Sequence, residues 1–370
     1  MSQMRSRTQA ACVLAGAAAI LGLTAISAQE LNEPCGGRSQ GPTVPCQNHV
    51  TNMMATLALL PDEPPARPQQ PRKVLIWSRI PSVGWQHSSI PLAAKLIEEL
   101  GKKTGAWTSD TAWDLSVITP QNLAQYDAIF LPSTTGRFMD DDDLTATEAR
   151  RTALLDFIRS GKGIAGVHAT GDSYHGSPPA AAGGAPAPAR GAAGRGGRGA
   201  APAGGRRGGP QPCSHSQDGP GGGGVPLWPG WIDIIGGYFK YHWNYPTPIT
   251  VKLDDPANPI NAPFEGRSFN TIDEVYTFNG WSRDNVHVLM SIDYSLMTDC
   301  DKGLENYPRT DGDYALAWIR PEGRGRLFYQ ALGHHESIYW NNPAMLAHIL
   351  AGMQYAIGDL KADDSIRSGR

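Results

Sequence analysis

Three histidines stand where apolar runs stop. His168 closes the run in Gly161-Lys-Gly-Ile-Ala-Gly-Val-His-Ala-Thr-Gly-Asp172. His87 lies in Gly84-Trp-Gln-His-Ser-Ser89, after the run Lys73–Ser78. His334 follows Arg326-Leu-Phe-Tyr-Gln-Ala-Leu332, with His335 next to it. In open α/β sheets ligands bind beyond the carboxyl ends of the strands, and small neighbours such as Gly and Ala let another molecule approach the backbone. A parallel sheet gathers the loops after its strands on one edge, so these imidazoles are expected to converge although far apart in sequence. Carboxylates accompany them: Asp172, and the pair Asp273 and Glu274 in Ile272-Asp-Glu-Val-Tyr276. Another imidazole, His242, lies in Gly236-Gly-Tyr-Phe-Lys-Tyr-His-Trp243.

Clustered imidazoles with carboxylates suit general acid–base work or a divalent metal such as zinc. The expected catalytic group is His168, His87, His334 and Glu274. His242, Trp85, Tyr276 and Asp172 are the expected substrate-binding residues, with Trp243 and Trp281 as further stacking faces. If a metal binds, His87, His168 and His334 are its candidate ligands. A lone histidine at a strand end is more often a satisfied core residue, and only the recurrence at equivalent places favours a site. His287 alternates with core residues in a strand and His348 sits in a helix, so both read as structural. His49, His175 and His215 carry no assignment. The run Asp140–Asp143 reads as the acidic start of a helix. No G-x-S-x-G elbow, phosphate-binding loop or dinucleotide fingerprint occurs in a suitable setting.

The elements that position these residues read as strand, helix, strand, helix, strand. Lys73–Ser78 is a buried strand. Leu92, Ala93, Leu96, Ile97 and Leu100 recur at helical spacing, with Gly101 as the expected C-terminal cap. Tyr126–Leu131 is a second strand, Leu144–Arg159 a helix, and Gly163–Val167 a third strand. That alternation implies a parallel sheet with right-handed crossovers. Thr247–Leu253, Val286–Asp293 and Arg326–Leu332 follow as strands. A last helix has Asn342 as its cap, Pro343 at its first position and Gly358 as its stop.

The chain has 370 residues, 18% of them charged, and a formal charge of −3. Residues 1–28 have the layout of an export signal: Arg5 and Arg7, an apolar run from Ala10 to Ile26, and small residues at a cut site; an uncleaved N-terminal anchor is the alternative. Cleavage leaves a mature chain near −5, a mildly acidic balance that argues against nucleic acid as partner. It also leaves no segment apolar and long enough to span a bilayer. Export places the four remaining cysteines, Cys35, Cys46, Cys213 and Cys300, in an oxidising compartment. Cys35 with Cys46 and Cys213 with Cys300 is one pairing; sequence leaves the connectivity open. Residues 29–72 read as a leader ending in a proline-rich spacer. Residues 73–358 are the folded domain and 359–370 a tail. Residues 176–226, rich in Gly, Pro, Ala and Arg, interrupt the domain as a low-complexity insert without the apolar surface to form a core.

Gln86-His-Ser-Ser-Ile90, the segment ending at His168, the Gly236–His242 segment, Asp273-Glu-Val-Tyr276 and Gly323-Arg-Gly-Arg-Leu-Phe-Tyr-Gln-Ala-Leu-Gly-His334 together resemble the ThuA-like (trehalose-utilisation) domain family. That family is a branch of the class I glutamine amidotransferase-like fold. The resemblance implies an α/β, flavodoxin-like three-layer sandwich with a mostly parallel central sheet. It also implies that His168 stands where amidotransferases carry a cysteine nucleophile, so glutaminase activity is not expected. One departure is Asn258-Pro259, where the family usually has His-Pro. The family's link to sugar catabolism implies a small carbohydrate as partner, specifically a keto-glycoside or related sugar. The competing readings are a non-catalytic sugar-binding or scaffold domain and a hydrolase of another small molecule.

Overall fold

The apolar runs become the parallel half of one nine-stranded sheet. The computed structural model describes residues 37–38, 49–81, 85–176, 224–305 and 307–366. In chain order the strands are β1 (Lys73–Trp77), β2 (Thr108–Ala112), β3 (Ala128–Pro132), β4 (Gly163–Val167), β5 (Tyr238–Leu253), β6 (Phe269–Asn279), β7 (His287–Ile292), β8 (Ala315–Glu322) and β9 (Gly325–Gln330). They lie side by side as β6-β5-β7-β8-β9-β4-β3-β1-β2. The five strands from β9 to β2 are mutually parallel, and the other four extend the sheet antiparallel. Val74, Leu75, Ile76 and Trp77 of β1 are wholly buried, as expected where helices cover both faces of a parallel sheet.

The main helices are α1 (His49–Ala58), α2 (Ile90–Thr104), α3 (Leu144–Arg159), α4 (Pro229–Ile235), α5 (Ser337–Trp340) and α6 (Pro343–Ile357). The chain forms the expected α/β three-layer sandwich. α3 starts on Asp143, whose side chain accepts the Ala146 N–H, and α6 starts on Asn342, which caps Met345 in the same way. Side-chain caps of this kind satisfy N–H groups that a helix start leaves orphaned.

Several sequence expectations shift. Gly101 is not a cap: α2 runs on to Thr104 and ends at Gly105, whose φ is +68°. Gly101 is instead where Trp107 lies against the helix, since a Cβ there would fall 2.3 Å from the indole. The strand expected at Tyr126 starts at Ala128, because the Tyr126 backbone N–H is still held in the preceding turn by the Leu123 carbonyl at 3.0 Å. β2, β6 and β8 were not foreseen. β2, Thr-Ser-Asp-Thr-Ala, is a half-exposed edge strand with no apolar signal.

The segment before β1 packs on the domain rather than standing off it. Leu60 joins the core. Ala66 exchanges backbone hydrogen bonds with the Gln354 side chain, and Arg72 pairs with Asp359 at 2.5 Å. The low-complexity insert lies largely outside the described residues, but its ends are held together, with His175 opposite Pro226 and Gly176 opposite Val225 in an antiparallel pair. The proposed export signal, Cys35, Cys46 and Cys213 are likewise outside the described residues. Cys300 is disulfide-bonded. Among the described residues no helix is long and apolar enough to cross a membrane.

β5 matters most for the site. Its second half, Val251–Leu253, pairs with β7 inside the sheet, whereas its first half pairs only with β6. Between Asp273 and Val275 of β6 the partner jumps from Thr247 to Trp243, an irregularity of the kind that re-aims side chains. The free half of this ribbon folds over the carboxyl ends of β4 and β9. Tyr276 reaches the His168 ring at 4.3 Å, and Phe278 packs against Tyr329 of β9.

Candidate functional site

His168 follows β4 on a sharp turn. Its φ of +42° lies in the left-handed region, which a non-glycine residue occupies only when its surroundings hold it there. Two contacts do so. The Tyr329 hydroxyl donates to the His168 carbonyl at 2.6 Å, and His168 Nδ1 lies 2.9 Å from the Ala331 carbonyl oxygen. That oxygen can only accept, so Nδ1 carries a proton and Nε2 points into the site.

His334 is placed by the turn after β9. Gly333 has φ +123°, and a Cβ there would sit 2.5 Å from the Tyr339 hydroxyl, so only glycine fits. Asp273 holds the turn from below. Its carboxylate accepts the N–H groups of Gly333 at 2.6 Å, His335 at 3.1 Å and Glu274 at 3.0 Å. Ser89, two residues from His87, donates its hydroxyl to the Gly333 carbonyl at 2.8 Å and joins the two loops.

Glu274 is the hub. Its Oε2 lies 2.7 Å from His334 Nδ1 and 3.1 Å from His168 Nε2, and its Oε1 lies 2.7 Å from His242 Nδ1. The His334 and His168 nitrogens are themselves 3.2 Å apart. His87 closes the group edge-on, its ring 4.8 Å from His168 and 5.1 Å from His334. One ligand atom from each of His87, His168, Glu274 and His334 falls within 4.8 Å of the others, and all four residues are buried. His242 is the half-buried member, with 27% of its side chain accessible. It marks the mouth, beside Phe239 and Tyr276.

The electrostatics follow from this packing. Burial pushes the His87 imidazole well below its usual value, and the neighbouring His168 and His334 add to that, so His87 is held neutral. Burial would raise the Glu274 carboxyl, but the charges of His334 and His242 outweigh it and hold the group well below the usual carboxylate range. Burial pushes Asp273 up against the opposing pull of His168 and His334.

Six expected residues, His87, His168, His334, Glu274, His242 and Tyr276, therefore meet in one place. Asp172 does not join them: it is bound to His175 and to Thr135. The Trp85 side chain lies outside the described residues. Trp243 is not a stacking face but a core residue, wholly buried with its indole N–H on the Asp301 carbonyl. Trp281 is buried under Arg309. Asn258 sits beyond the far end of β5, tied to Asp255 and the Asp363 carbonyl, and has no part in the cluster. His287 pairs with Asp255 and His348 with the Ile260 carbonyl, both structural as read. Two aromatic neighbours escaped the sequence reading: Phe239 at the mouth, and Tyr245, whose ring stacks 4.4 Å from His335. Nothing in their local pattern separates them from ordinary strand aromatics. Beyond Tyr245 lies a cavity of about 660 Å³, lined in part by Asn270, Thr271, Ser337, Asn341 and Asn342. His87, His168, Glu274 and His334 do not line it.

The model of a family described as trehalose utilisation, ThuA, matches residues 73–184 and 221–356. No curated protein matches the chain. Among solved structures, a ThuA-like protein from Bacteroides uniformis is 17% identical, with a TM-score of 0.49 over 78% of this chain and 93% of that one. A second, from Parabacteroides merdae, is 14% identical, with a TM-score of 0.47 over 81% and 94%.

Proposed function

The chain belongs to the ThuA, trehalose-utilisation, family, and from that premise we propose that it is an exported enzyme acting on a keto-glycoside at the Glu274 cluster. The observation that carries the reading is the convergence of four imidazoles on one buried carboxylate. A ketone acidifies the C–H beside it. Removing that proton needs a base at the carbon and a positive centre at the ketone oxygen. The His242–Glu274 pair, at the mouth, is the base. His168 and His334 flank the place for positive charge, beside the neutral His87. The resulting enolate either reprotonates on the other face, giving isomerisation, or forms a C=C bond and expels a glycosidic oxygen two atoms away, which takes the proton held by the His242–Glu274 pair, giving cleavage.

The test is to incubate the exported protein, its start at Gln29 checked by intact mass, with a panel of keto-glycosides and their parent glycosides. NMR follows the sugars. Conversion of at least one keto-sugar, with the parents untouched, is expected. Sugar-dependent thermal stabilisation without turnover would replace this reading by a binding domain.

A further inference from the structure

We infer that His87, His168, His334 and Glu274 form a binding site for one divalent transition-metal ion of the zinc class. The inference uses the same side chains as the carbohydrate reading but not its substrate.

Proton bookkeeping points to a cation. His168 spends its Nδ1 proton on the Ala331 carbonyl. Its Nε2 then faces Glu274 Oε2 at 3.1 Å and His334 Nδ1 at 3.2 Å. If His334 donates to Glu274, a bare imidazole lone pair points at a carboxylate oxygen in a buried space. Two lone pairs at that distance repel unless something positive lies between them. His87 adds a further nitrogen in need of a partner, because its Nδ1 is buried without a hydrogen bond among the described residues.

A metal ion satisfies all four at once. Ligands about 2.0–2.1 Å from a tetrahedral zinc lie about 3.3 Å from one another. The separations of 2.7, 3.1 and 3.2 Å around Glu274 Oε2, His168 and His334 are already close to that edge. Three imidazoles with one carboxylate are a donor set that first-row divalent ions accept. The outer contacts also fit, because metal-bound histidines commonly give their other N–H to a backbone carbonyl. His168 does this to Ala331, and His242 braces the second Glu274 oxygen. An ion held there would polarise a sugar oxygen only by taking it as a fifth ligand. The other candidate cluster, Asp255, His287 and Asp363, has an exposed member, and both His287 nitrogens are already engaged.

The experiment takes the full exported protein, untagged and purified without chelator, for elemental analysis. The protein is then stripped with a chelator and titrated calorimetrically with zinc alone. One equivalent per chain is expected, with a Kd below about 1 μM. His87→Ala and His334→Ala should each weaken binding at least tenfold, and His287→Asn should leave it unchanged. In case those variants misfold, zinc-edge X-ray absorption on the wild type should show three imidazoles at about 2.0–2.1 Å. Absence of stoichiometric binding, loss of the ion in His287→Asn, or a spectrum without imidazole would overturn the inference. A stripped protein that turns over sugar but takes up no stoichiometric zinc would overturn it while leaving the carbohydrate reading intact. A bound ion with no turnover would do the reverse.

Discussion

Asp273 touches no expected substrate position, yet the site depends on it. Its carboxylate takes three backbone N–H groups and sets the turn that presents His334. Asp273→Asn puts an amide N–H₂ against one of those donors. We expect a loss of about 1–3 kcal/mol in urea unfolding, with impaired turnover; unchanged stability would contradict the bracing role. His168 is wholly buried among His87, Tyr276 and His334. Truncating it to alanine therefore removes packing as well as chemistry, and glutamine is the cleaner probe. Outside the site, burial lowers the His348 imidazole from 6.5 to about 4. The folded state then binds fewer protons than the unfolded one between those values, so stability falls as pH drops from about 6.5 to about 4. His348 lies between Phe264 and Phe328, an apolar setting that leucine suits. Relative to His348→Leu, the wild type should lose roughly 3 kcal/mol more between pH 7 and pH 4. Parallel acid-unfolding curves would refute this.

At the scale of elements, four of the five parallel strands, β1, β3, β4 and β9, were legible because each is a short apolar run between clear stops, and α3 and α6 because their caps are explicit. The three imidazoles after β1, β4 and β9 followed from that topology. The placement of Glu274 did not. It depends on β5 leaving the sheet and carrying β6 over the crevice, a long-range event with no local sequence signal. The insert interrupts this ribbon's approach to the site, and its ends are already paired across His175–Pro226 and Gly176–Val225. An Asn-Gly turn joining Gly176 directly to Val225 matches the two-residue hairpin geometry. Made in a Cys300→Ser background, because Cys300 is disulfide-bonded, this shortening should move Tm by less than about 4 °C relative to Cys300→Ser alone. That is the size of a 1 kcal/mol change in a chain this large. A larger drop would mean the insert contributes to the fold.

At the scale of the whole molecule, the sheet supplies one carboxyl edge, and a ribbon from its antiparallel half covers that edge with a carboxylate. Neither half builds the centre alone: the parallel half brings His87, His168 and His334, and the ribbon brings Glu274, His242 and Tyr276. The central claim is that this joint centre performs the chemistry. Its most direct test is the turnover number for whichever keto-glycoside the wild type converts, measured for His168→Gln and Glu274→Gln beside Asp172→Asn, with circular dichroism to establish folding. The account predicts losses of about 10²–10⁴-fold for the first two and a rate within about threefold of wild type for Asp172→Asn, whose carboxylate serves Thr135 and His175 instead. Folded His168→Gln and Glu274→Gln proteins that turn over at the wild-type rate would contradict it.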